Sequence, residues 1–358
     1  MKFGISRRDF LCASGIAAAV RPARLAAAAS AWPLKEGPAT PKLCMISNAT
    51  PTERSLRRMR QIGVEHAVMS GPRIPWQESE LRSIMERHKA GGVTVFNMMI
   101  SGFPNAIYGK PGRDAEIENV QNSIRAASRV GLPIVEYNFY AHRAMEGYFN
   151  EEGRAGSGVL SFDYSRMKNL PPLPEEGAHP IDEMWNNVSY FLKAVVPVAK
   201  EVNVRLALHP NDPPAPESRG SGQIMGSVEG WKRLVEIVPT PHNGITFDCG
   251  VTREMGEDPV EVCRYFSRKD CINHVHFRNV QMKVPREKYT EVFPDEGEVD
   301  MFGVMKELVR QKYPRLIYPE HPRGLDADRD QAGSGQYAAW TFNVAYARAM
   351  LQAAMESM

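Results

Sequence analysis

Four side chains that can bind a metal ion occupy equivalent positions in the second half of the chain. Each ends a short apolar, strand-like run and is followed by a helical pattern; they are His209, Cys249, His276 and Glu320. Because the carboxyl ends of consecutive parallel strands lie on one face of a barrel, we expect these side chains to converge there. Two imidazoles, a thiolate and a carboxylate could bind Zn²⁺, Mn²⁺, Fe²⁺ or Co²⁺. The pattern therefore predicts a metalloenzyme.

A polar turn directly follows the first of these residues. A lone histidine at a strand end is more often a hydrogen-bonded structural residue than a ligand. Here the sequence HPNDPP adds prolines that stiffen the turn and places Asn211 and Asp212 beside His209. A fixed backbone with clustered polar groups is typical of a preorganised ligand with supporting hydrogen bonds. Asp212 could orient His209 or, with Asn211, bind substrate hydroxyls.

The segment 274–278 alternates as a strand does. His274, His276 and Arg278 are two residues apart, so they point to one side. His276 is the predicted ligand because it lies nearer the carboxyl end of the strand, where barrel active sites are built. A guanidinium can pair with a carboxylate through two parallel hydrogen bonds, so Arg278 is predicted to bind a substrate carboxylate. The alternative is a surface arginine in a structural salt bridge.

The other two candidate ligands differ in how specific their signals are. Glu320 supplies an oxygen ligand, and the adjacent His321 is a candidate acid or base beside the metal. Cys249, in the run FDCG, could instead be a small buried hydrophobe, as free cysteines commonly are. Metal binding by Cys249 is favoured only because histidines occupy the corresponding strand ends on either side. A bound cation would stabilise its thiolate.

Alternating strand and helix patterns must position these residues. The apolar runs predict eight strands, each followed by a helix, at 42–46, 66–70, 94–100, 134–140, 205–209, 245–249, 272–278 and 316–321. Eight such units favour an α/β fold, the closed (β/α)8 TIM barrel; no glycine-rich phosphate loop supports an open doubly wound sheet. The long polar stretch 141–180 after the fourth strand predicts a lid, with a disordered insert as the alternative.

Length and composition suit one ordinary globular domain. The 358 residues are 43% apolar and 24% charged, and the formal net charge is +2. A single barrel at 32–358 can bury a sufficient core, so a metal would be catalytic rather than needed for folding. The small net charge gives no reason to expect nucleic acid or an anionic membrane as a partner. A small-molecule substrate is expected, and a homo-oligomer stays open.

Residues 1–31 are predicted to be an export signal rather than part of the fold. Arg7 and Arg8 form a twin-arginine signature, followed by the weakly apolar stretch 12–20 and the alanine-rich segment 25–31. The alternative is an amphipathic N-terminal helix. The signal predicts the Tat export machinery as a partner and the periplasm as the location. The apolar stretch is too short to span a bilayer, so no membrane insertion of the mature protein is expected.

The cysteines show no CxxC pairing and no zinc-finger spacing. Cys12 would be removed with the signal, whereas Cys44 and Cys271 lie in or beside apolar runs and are predicted to be buried. An oxidising periplasm would permit a disulfide between Cys263 and Cys271. The sequence leaves that pairing open.

From about Tyr137 to the C-terminus, the sequence resembles the mannonate dehydratase family, barrel enzymes of hexuronate breakdown. Short motifs at 137–139, 209–214, 249, 276–279, 297–301, 319–321 and 335–337 carry the resemblance. HPNDPP is similar to the family's HPDDPP, and GEVDM is similar to its GDVDM. Glu320 stands where the family has an aspartate, and the first strand lacks the aromatic motif expected there. With the export signal, these departures indicate a divergent branch.

The resemblance implies a fold, a cofactor and a reaction. It implies a xylose-isomerase-like TIM barrel in which the four candidate ligands bind Mn²⁺ or Fe²⁺, while His321 and Tyr337 take part in acid–base work. The implied reaction is that of a hydro-lyase, which removes water from D-mannonate to give 2-dehydro-3-deoxy-D-gluconate. A metal-dependent sugar isomerase or epimerase is the alternative, although Arg278 favours an acidic substrate. A third hypothesis is an exported sugar-acid binding protein.

Overall fold

Short runs of valine, isoleucine, leucine and methionine form the strands, because strands of a parallel sheet are covered on both faces. The computed structural model describes residues 35–330 and 336–358, and these ranges contain fourteen strands and eleven α-helices. The strands are β1 (Lys42–Ile46), β2 (His66–Ser70), β3 (Thr94–Ile100), β4 (Ile134–Tyr137), β5 (Tyr148–Glu152), β6 (Gly158–Asp163), β7 (Arg205–Leu208), β8 (Glu217–Ser218), β9 (Ser221–Gly222), β10 (Asn243–Asp248), β11 (Ile272–His276), β12 (Asn279–Val284), β13 (Lys288–Val292) and β14 (Leu316–Tyr318). The helices are α1 (Glu53–Gln61), α2 (Glu78–Ala90), α3 (Pro104–Tyr108), α4 (Arg113–Arg129), α5 (Ile181–Glu201), α6 (Val228–Ile237), α7 (Cys249–Glu254), α8 (Pro259–Arg268), α9 (Met301–Arg310), α10 (Asp326–Arg329) and α11 (Tyr337–Glu356).

Eight of the described strands pair in parallel and close into a barrel, in the order β1-β14-β11-β10-β7-β4-β3-β2, with β2 hydrogen-bonded to β1. This confirms the predicted (β/α)8 TIM barrel. All eight predicted strands are present, but several end earlier than predicted; β7 ends at Leu208 and β14 at Tyr318. The polar residues beyond these ends therefore lie in loops on the face where barrel active sites are built.

The junction of β10 and α7 differs from the sequence prediction. Cys249 is predicted to end a strand, whereas in the structure β10 ends at Asp248 and Cys249 is the first residue of α7. The Asp248 carboxylate accepts a hydrogen bond of 2.8 Å from the Val251 N–H, which would otherwise lack a partner in the first helical turn. This cap starts the helix directly after the strand, so Cys249 has a helical rather than a strand position.

Part of the stretch 141–180 forms a β-sheet beside the barrel. Its strands β5 and β6 join the hairpin β12–β13 in an antiparallel sheet of order β12-β13-β6-β5. The Tyr148 hydroxyl donates a hydrogen bond of 2.7 Å to Asp212 Oδ1 in the turn after β7. The sheet therefore lies against the barrel face that carries the loops, and a role as a lid stays a prediction.

Helix α11 fixes the backbone that carries Glu320. The Asn343 side-chain amide donates to the carbonyl oxygens of Pro319 and Glu320, at 3.1 and 2.9 Å. One turn earlier, Trp340 stacks on Tyr318 with 5.5 Å between ring centroids. The C-terminal helix thus positions the end of β14 through hydrogen bonds as well as apolar packing.

The cysteines of the described ranges are buried free thiols. The Cys271 thiol faces the Phe266 carbonyl at 3.4 Å, while Cys263 Sγ lies 3.8 Å from Ser267 Oγ. Cys263 and Cys271 are therefore not joined by a disulfide in this structure. The burial predicted for Cys44 and Cys271 is confirmed.

The predicted export signal at 1–31, including Arg7, Arg8 and Cys12, lies outside the described residues. The predicted domain at 32–358 is described from Lys35 onward. Within 35–330 and 336–358, no helix combines the length and the apolar character needed to cross a membrane.

Candidate active site

Imidazole and carboxylate side chains meet near the carboxyl ends of four barrel strands. Glu136 belongs to β4, His209 follows β7, His274 and His276 belong to β11, and Glu320 follows β14; we call these five residues the imidazole–carboxylate cluster. His276 Nδ1 lies 2.9 Å from Glu320 Oε1, and His276 Nε2 lies 3.6 Å from Glu136 Oε1. The ring centroids of His209 and His276 are 4.9 Å apart. Three of the four predicted ligands are therefore brought together.

The orientation of His209 is set by its own turn. Its Nδ1–H donates to the Pro210 carbonyl at 2.8 Å. Because a carbonyl only accepts, Nδ1 carries the proton, and Nε2 of the neutral ring keeps the lone pair that a metal ligand needs. In the described structure this ring nitrogen is held by the adjacent carbonyl and not by Asp212, and a part for Asp212 in orienting His209 stays a prediction.

The three imidazoles of this cluster differ in protonation. Burial, together with the nearby positive charge of His276, holds the pKa of His209 below its usual value. Burial would also lower the pKa of His276, but Glu320, Glu136 and Asp248 outweigh it and raise that pKa to about 9. Burial is the main cause that lowers the pKa of His274 to about 4. One imidazolium therefore lies among carboxylates, with two neutral imidazoles beside it.

The donor atoms of this cluster fit a divalent cation. Among the described residues, His276 Nδ1, Glu320 Oε1 and both ring nitrogens of His274 are buried without a hydrogen-bond partner. Buried polar atoms are normally bonded, so such atoms point to a missing partner. Two overlapping groups each offer ligand atoms within 4.8 Å of one another: Asp248 with His276 and Glu320, and Glu136 with His274 and His276. Nitrogen and oxygen donors of this kind suit a first-row transition metal.

Neither Cys249 nor His209 belongs to either group within the described part of the chain, although the His209 ring lies beside that of His276. For Cys249 the local contacts differ. Its thiol donates to the Arg278 carbonyl at 3.3 Å, and burial raises its pKa. The neighbouring Asp248 faces the cluster instead, with its Oδ2 3.8 Å from His276 Nδ1. Metal binding by Cys249 stays a prediction, and it requires the thiol to leave the carbonyl and lose its proton.

Arg278 lies beside this cluster within a second buried group, the arginine cluster of Arg278, Asp212, Asp248, Glu254 and Glu291. Its side chain is 2% exposed, and its nitrogens lie 2.7 Å from Glu254 and 3.0 Å from Asp248. Asp212 and Glu291 follow at 3.4 and 3.8 Å. The alternative interpretation of Arg278 is a surface arginine in a structural salt bridge. The surface position is wrong, whereas the salt bridges are present. Arg278 Nη2 is buried without a hydrogen-bond partner among the described residues, but the surrounding carboxylates already neutralise the guanidinium.

Asn211 and Asp212 have different roles in their turn. The Asn211 side chain ties the turn to the next segment, because its oxygen accepts from the Met225 N–H at 2.7 Å and its amide donates to Gln223. The Asp212 carboxylate faces the site, where it accepts from Tyr148. Substrate binding by Asn211 or Asp212 stays a prediction.

His321 stands between the two clusters. Its Nδ1 donates to Glu291 at 2.7 Å, and its Nε2 lies 3.6 Å from Glu320. Burial alone would lower its pKa, but Glu291 and Glu320 raise it to about 9. Its φ of +48° is strained for a histidine, a cost of about 1–3 kcal/mol that is typical of functional positions. His321 is thus a partly exposed, protonated acid beside the candidate ligands.

Tyr337 lies in a neighbouring cavity rather than in either cluster. Its hydroxyl donates to the Arg58 carbonyl at 3.1 Å. The cavity, of about 390 Å³, is also lined by Ser47 and Trp340. Through Trp340 and then Tyr318, ring contacts connect this cavity to His276. A part for Tyr337 in proton transfer stays a prediction.

Several acidic residues of the site were not identified from the sequence. Glu136 has a signal, since it is a carboxylate inside the apolar run IVEY, and Asn97 and Thr246 donate to it at 2.8 and 2.6 Å. Glu254 and Glu291 have none, because α7 and the β13 hairpin bring them to Arg278 only in the folded chain. Exposed glutamates and these buried ones look alike in the sequence.

Comparison with known proteins agrees with this geometry. The family model for D-mannonate dehydratase (UxuA) matches residues 49–174 and 179–358. The chain belongs to the mannonate dehydratase family. A mannonate dehydratase of Thermotoga petrophila is 30% identical over an alignment of 322 positions, which covers 79% of this chain and 89% of that protein. The family resemblance of the motifs is thereby confirmed.

Solved structures show the same relationship. The mannonate dehydratase of Streptococcus suis serotype 2 superposes with a TM-score of 0.80 at 25% identity, covering 88% of this chain and 95% of that one. An L-ribulose 3-epimerase gives a TM-score of 0.57 at 15% identity, covering 89% of this chain and 97% of the other. The epimerase shares the barrel fold alone. The family membership therefore favours a dehydratase over the isomerase or epimerase alternative.

Proposed function

We propose that this protein is a metal-dependent hydro-lyase that converts D-mannonate into 2-dehydro-3-deoxy-D-gluconate and water. The observation that carries the proposal is the proximity of His209, His276 and Glu320 at one end of a barrel that belongs to the mannonate dehydratase family. A sugar acid as substrate follows from the names of the relatives.

The cation is proposed to be Mn²⁺ or Fe²⁺, held by His209, His276 and Glu320 with Cys249 as a fourth ligand. Glu136 and Asp248 are additional oxygen donors within reach of His276. When bound, the cation would stabilise the negative charge that develops beside the substrate carboxylate as C2 loses its proton. It would also take the place of the proton on His276, because a metal and a proton compete for the same lone pair.

His321 is proposed to supply the proton that converts the departing C3 hydroxyl into water. Glu291 supports this role by holding Nδ1 and by favouring the protonated ring, which leaves Nε2 directed towards Glu320. Asp212 is proposed to bind a substrate hydroxyl. Tyr337 is the second proposed participant in acid–base work, and the hydrogen bond of its hydroxyl to Arg58 would have to open.

We also propose that the protein is exported to the periplasm by the Tat machinery, on the strength of Arg7 and Arg8. The measurement is cell fractionation of the full chain with both arginines replaced by lysine. The variant should stay in the cytoplasm, and continued export would contradict the proposal.

The activity is tested on the protein that begins at Trp32, loaded with Mn²⁺ and given D-mannonate, with formation of the 2-keto acid followed over time. Product should form, disappear after chelation and return when Mn²⁺ is added back. Absence of product with metal bound would move the proposal to another sugar acid or to an isomerase.

A further inference from the structure

A sugar acid needs a cationic partner in the site, and the residue expected for this task is already engaged. Three arginines contact the acidic side chains of the site within the described ranges: Arg143, Arg278 and Arg323. They can be ranked by their exposure and by how far the protein's own carboxylates neutralise them, because a substrate carboxylate needs an accessible cation with unused N–H groups.

Two of the three arginines are buried and already neutralised by carboxylates of the protein. Arg278 is enclosed by carboxylates, with Glu254 at 2.7 Å and Asp248 at 3.0 Å. Arg323 is also buried; its Nη2 donates to Glu291 at 2.9 Å and its Nε to the His321 carbonyl at 2.8 Å. Both side chains therefore act as internal counter-ions of the acidic residues.

Arg143 is held differently. It lies six residues after β4, at the start of the stretch 141–180, and 41% of its side chain is exposed. Its Nε donates to the Asp212 carbonyl at 2.9 Å, and its Nη2 lies 3.5 Å from Asp212 Oδ2. Its Nη1 has no hydrogen-bond partner among the residues that the structure describes. Of five N–H groups, both on Nη1 and one on Nη2 are available.

The turn after β7 places this guanidinium at the site. Asp212, which holds it, offers an oxygen in one group with Glu291 and His321, whose ligand atoms all lie within 4.8 Å of one another. His321 in turn contacts Glu320 at 3.6 Å. One residue, Asp212, thus separates Arg143 from the candidate acid His321. Two residues, Asp212 and His321, separate it from the candidate metal ligand Glu320.

The charge of Asp212 does not neutralise Arg143 alone. Asp212 Oδ1 accepts from Tyr148 at 2.7 Å and lies 3.4 Å from Arg278 Nη2, so its negative charge is shared. Burial would lower the pKa of Arg143, but Asp212 and other acidic neighbours raise it above its ordinary value, so the cation persists. A second carboxylate can therefore pair with the exposed edge of the guanidinium.

We infer that Arg143 binds the carboxylate of the sugar acid, through Nη1 and Nη2, and that Arg278 serves as a buried counter-ion instead. The inference rests on the proposed function for the identity of the substrate. It makes Arg143 a specificity-determining residue, which selects acids over neutral sugars of the same shape. It also gives the stretch 141–180 a reason to lie against the barrel, because it delivers this side chain.

The test compares Arg143→Gln with the wild type, both loaded with Mn²⁺. Loss of a charge-assisted bidentate pair should raise KM for D-mannonate by roughly 10- to 100-fold, with a much smaller change in kcat. Arg143→Lys should give an intermediate KM, because it keeps the charge without the fork. Added guanidinium should partly rescue Arg143→Gln. The matched control is Arg166→Gln, an exposed arginine over the Phe149 ring in the same stretch, which should leave KM unchanged.

A binding measurement separates this inference from the proposed function. D-gluconate and the neutral polyol D-mannitol are titrated calorimetrically into each Mn²⁺-loaded protein. Arg143→Gln should weaken D-gluconate binding by a similar factor and leave D-mannitol binding unchanged. If the wild type binds D-gluconate but turns over no D-mannonate, the dehydratase proposal fails while Arg143 is still tested. Equal losses for both ligands, unaltered D-gluconate binding in a folded Arg143→Gln, or no preference of the wild type for the acid would overturn the inference.

Discussion

The imidazole–carboxylate cluster and the arginine cluster are neighbours at the same end of the barrel, and they are built from the same kinds of side chain. Both are buried and both are rich in carboxylates. In the arginine cluster, Arg278 pairs with the carboxylates around it. In the other cluster, His276 Nδ1 and Glu320 Oε1 lie 2.9 Å apart, yet in the described structure neither makes a well-directed hydrogen bond.

This difference indicates what each cluster does. Both clusters contain buried atoms without a hydrogen-bond partner in the described structure, among them Arg278 Nη2 in one and His274 Nε2 in the other. In the arginine cluster, however, a permanent guanidinium cation already balances the surrounding carboxylates. Charge and burial alone do not separate a binding site from a structural ion network. The kind of donor atom does: imidazole nitrogens and carboxylate oxygens can ligate a cation and a guanidinium cannot, so the imidazole–carboxylate cluster is the candidate metal site.

Replacing Arg278 with methionine should have the largest effect on stability. The substitution leaves Asp248 and Glu254 buried without a counter-ion, so the free energy of unfolding should fall by about 3–5 kcal/mol. Urea denaturation measures this. The control is Arg253→Met, which breaks the exposed 2.7 Å pair with Glu298 and should cost less than about 1 kcal/mol. A stable Arg278→Met protein that no longer binds sugar acids would reverse the comparison and give Arg278 the role predicted from sequence.

Replacing Glu320 with glutamine should act on the metal rather than on the fold. Mn²⁺ affinity should fall by at least about 100-fold, equivalent to about 2.7 kcal/mol, because a charged ligand becomes a neutral amide. Mn²⁺ content after dialysis and thermal unfolding of the metal-free protein are the two measurements. Glu298→Gln is the control with an unchanged metal content. Full Mn²⁺ retention by Glu320→Gln would remove Glu320 from the ligand set.

Cys249→Ser tests whether Cys249 binds the metal together with the imidazole–carboxylate cluster. Serine keeps a hydrogen-bond donor for the Arg278 carbonyl but cannot form a thiolate at neutral pH. If Cys249 is a ligand, Mn²⁺ affinity should fall by about 10-fold, less than for Glu320, because the thiol must first leave that carbonyl. Cys263→Ser is the matched buried control. Equal Mn²⁺ binding by both variants would assign Cys249 to packing.

Breaking the ion pair of Asp163 with Lys288, at 2.8 Å between β6 and β13, should have the smallest effect on the free energy of unfolding. The hydrogen bond from Lys288 is the main cause that lowers the pKa of Asp163 to about 2. A lowered carboxyl pKa stabilises the fold above the unfolded value of about 3.9 and loses this contribution as the pH falls towards 2. Asp163→Asn should cost less than about 1 kcal/mol at pH 7 and progressively less below pH 4, by urea denaturation. A difference independent of pH would exclude this cause.

Much of the fold and part of the site follow from local sequence. Alternating apolar runs and helical patterns predict all eight barrel strands, and the positions of His209, His276 and Glu320 at or just beyond strand ends predict their convergence. Family motifs add the reaction. Boundaries such as the start of α7 at Cys249 are less predictable, because one capping side chain decides between strand and helix.

Local sequence therefore determined the barrel and the order of its candidate ligands, since both depend on periodicity along a single chain segment. Only the tertiary structure decided which charges satisfy each other. Arg278 meets Glu254 from α7 and Glu291 from β13, while Arg143 keeps free N–H groups beside Asp212. These pairings depend on how loops from distant segments pack at one end of the barrel. An arginine in the sequence shows its charge, and only the fold shows whether that charge is already neutralised.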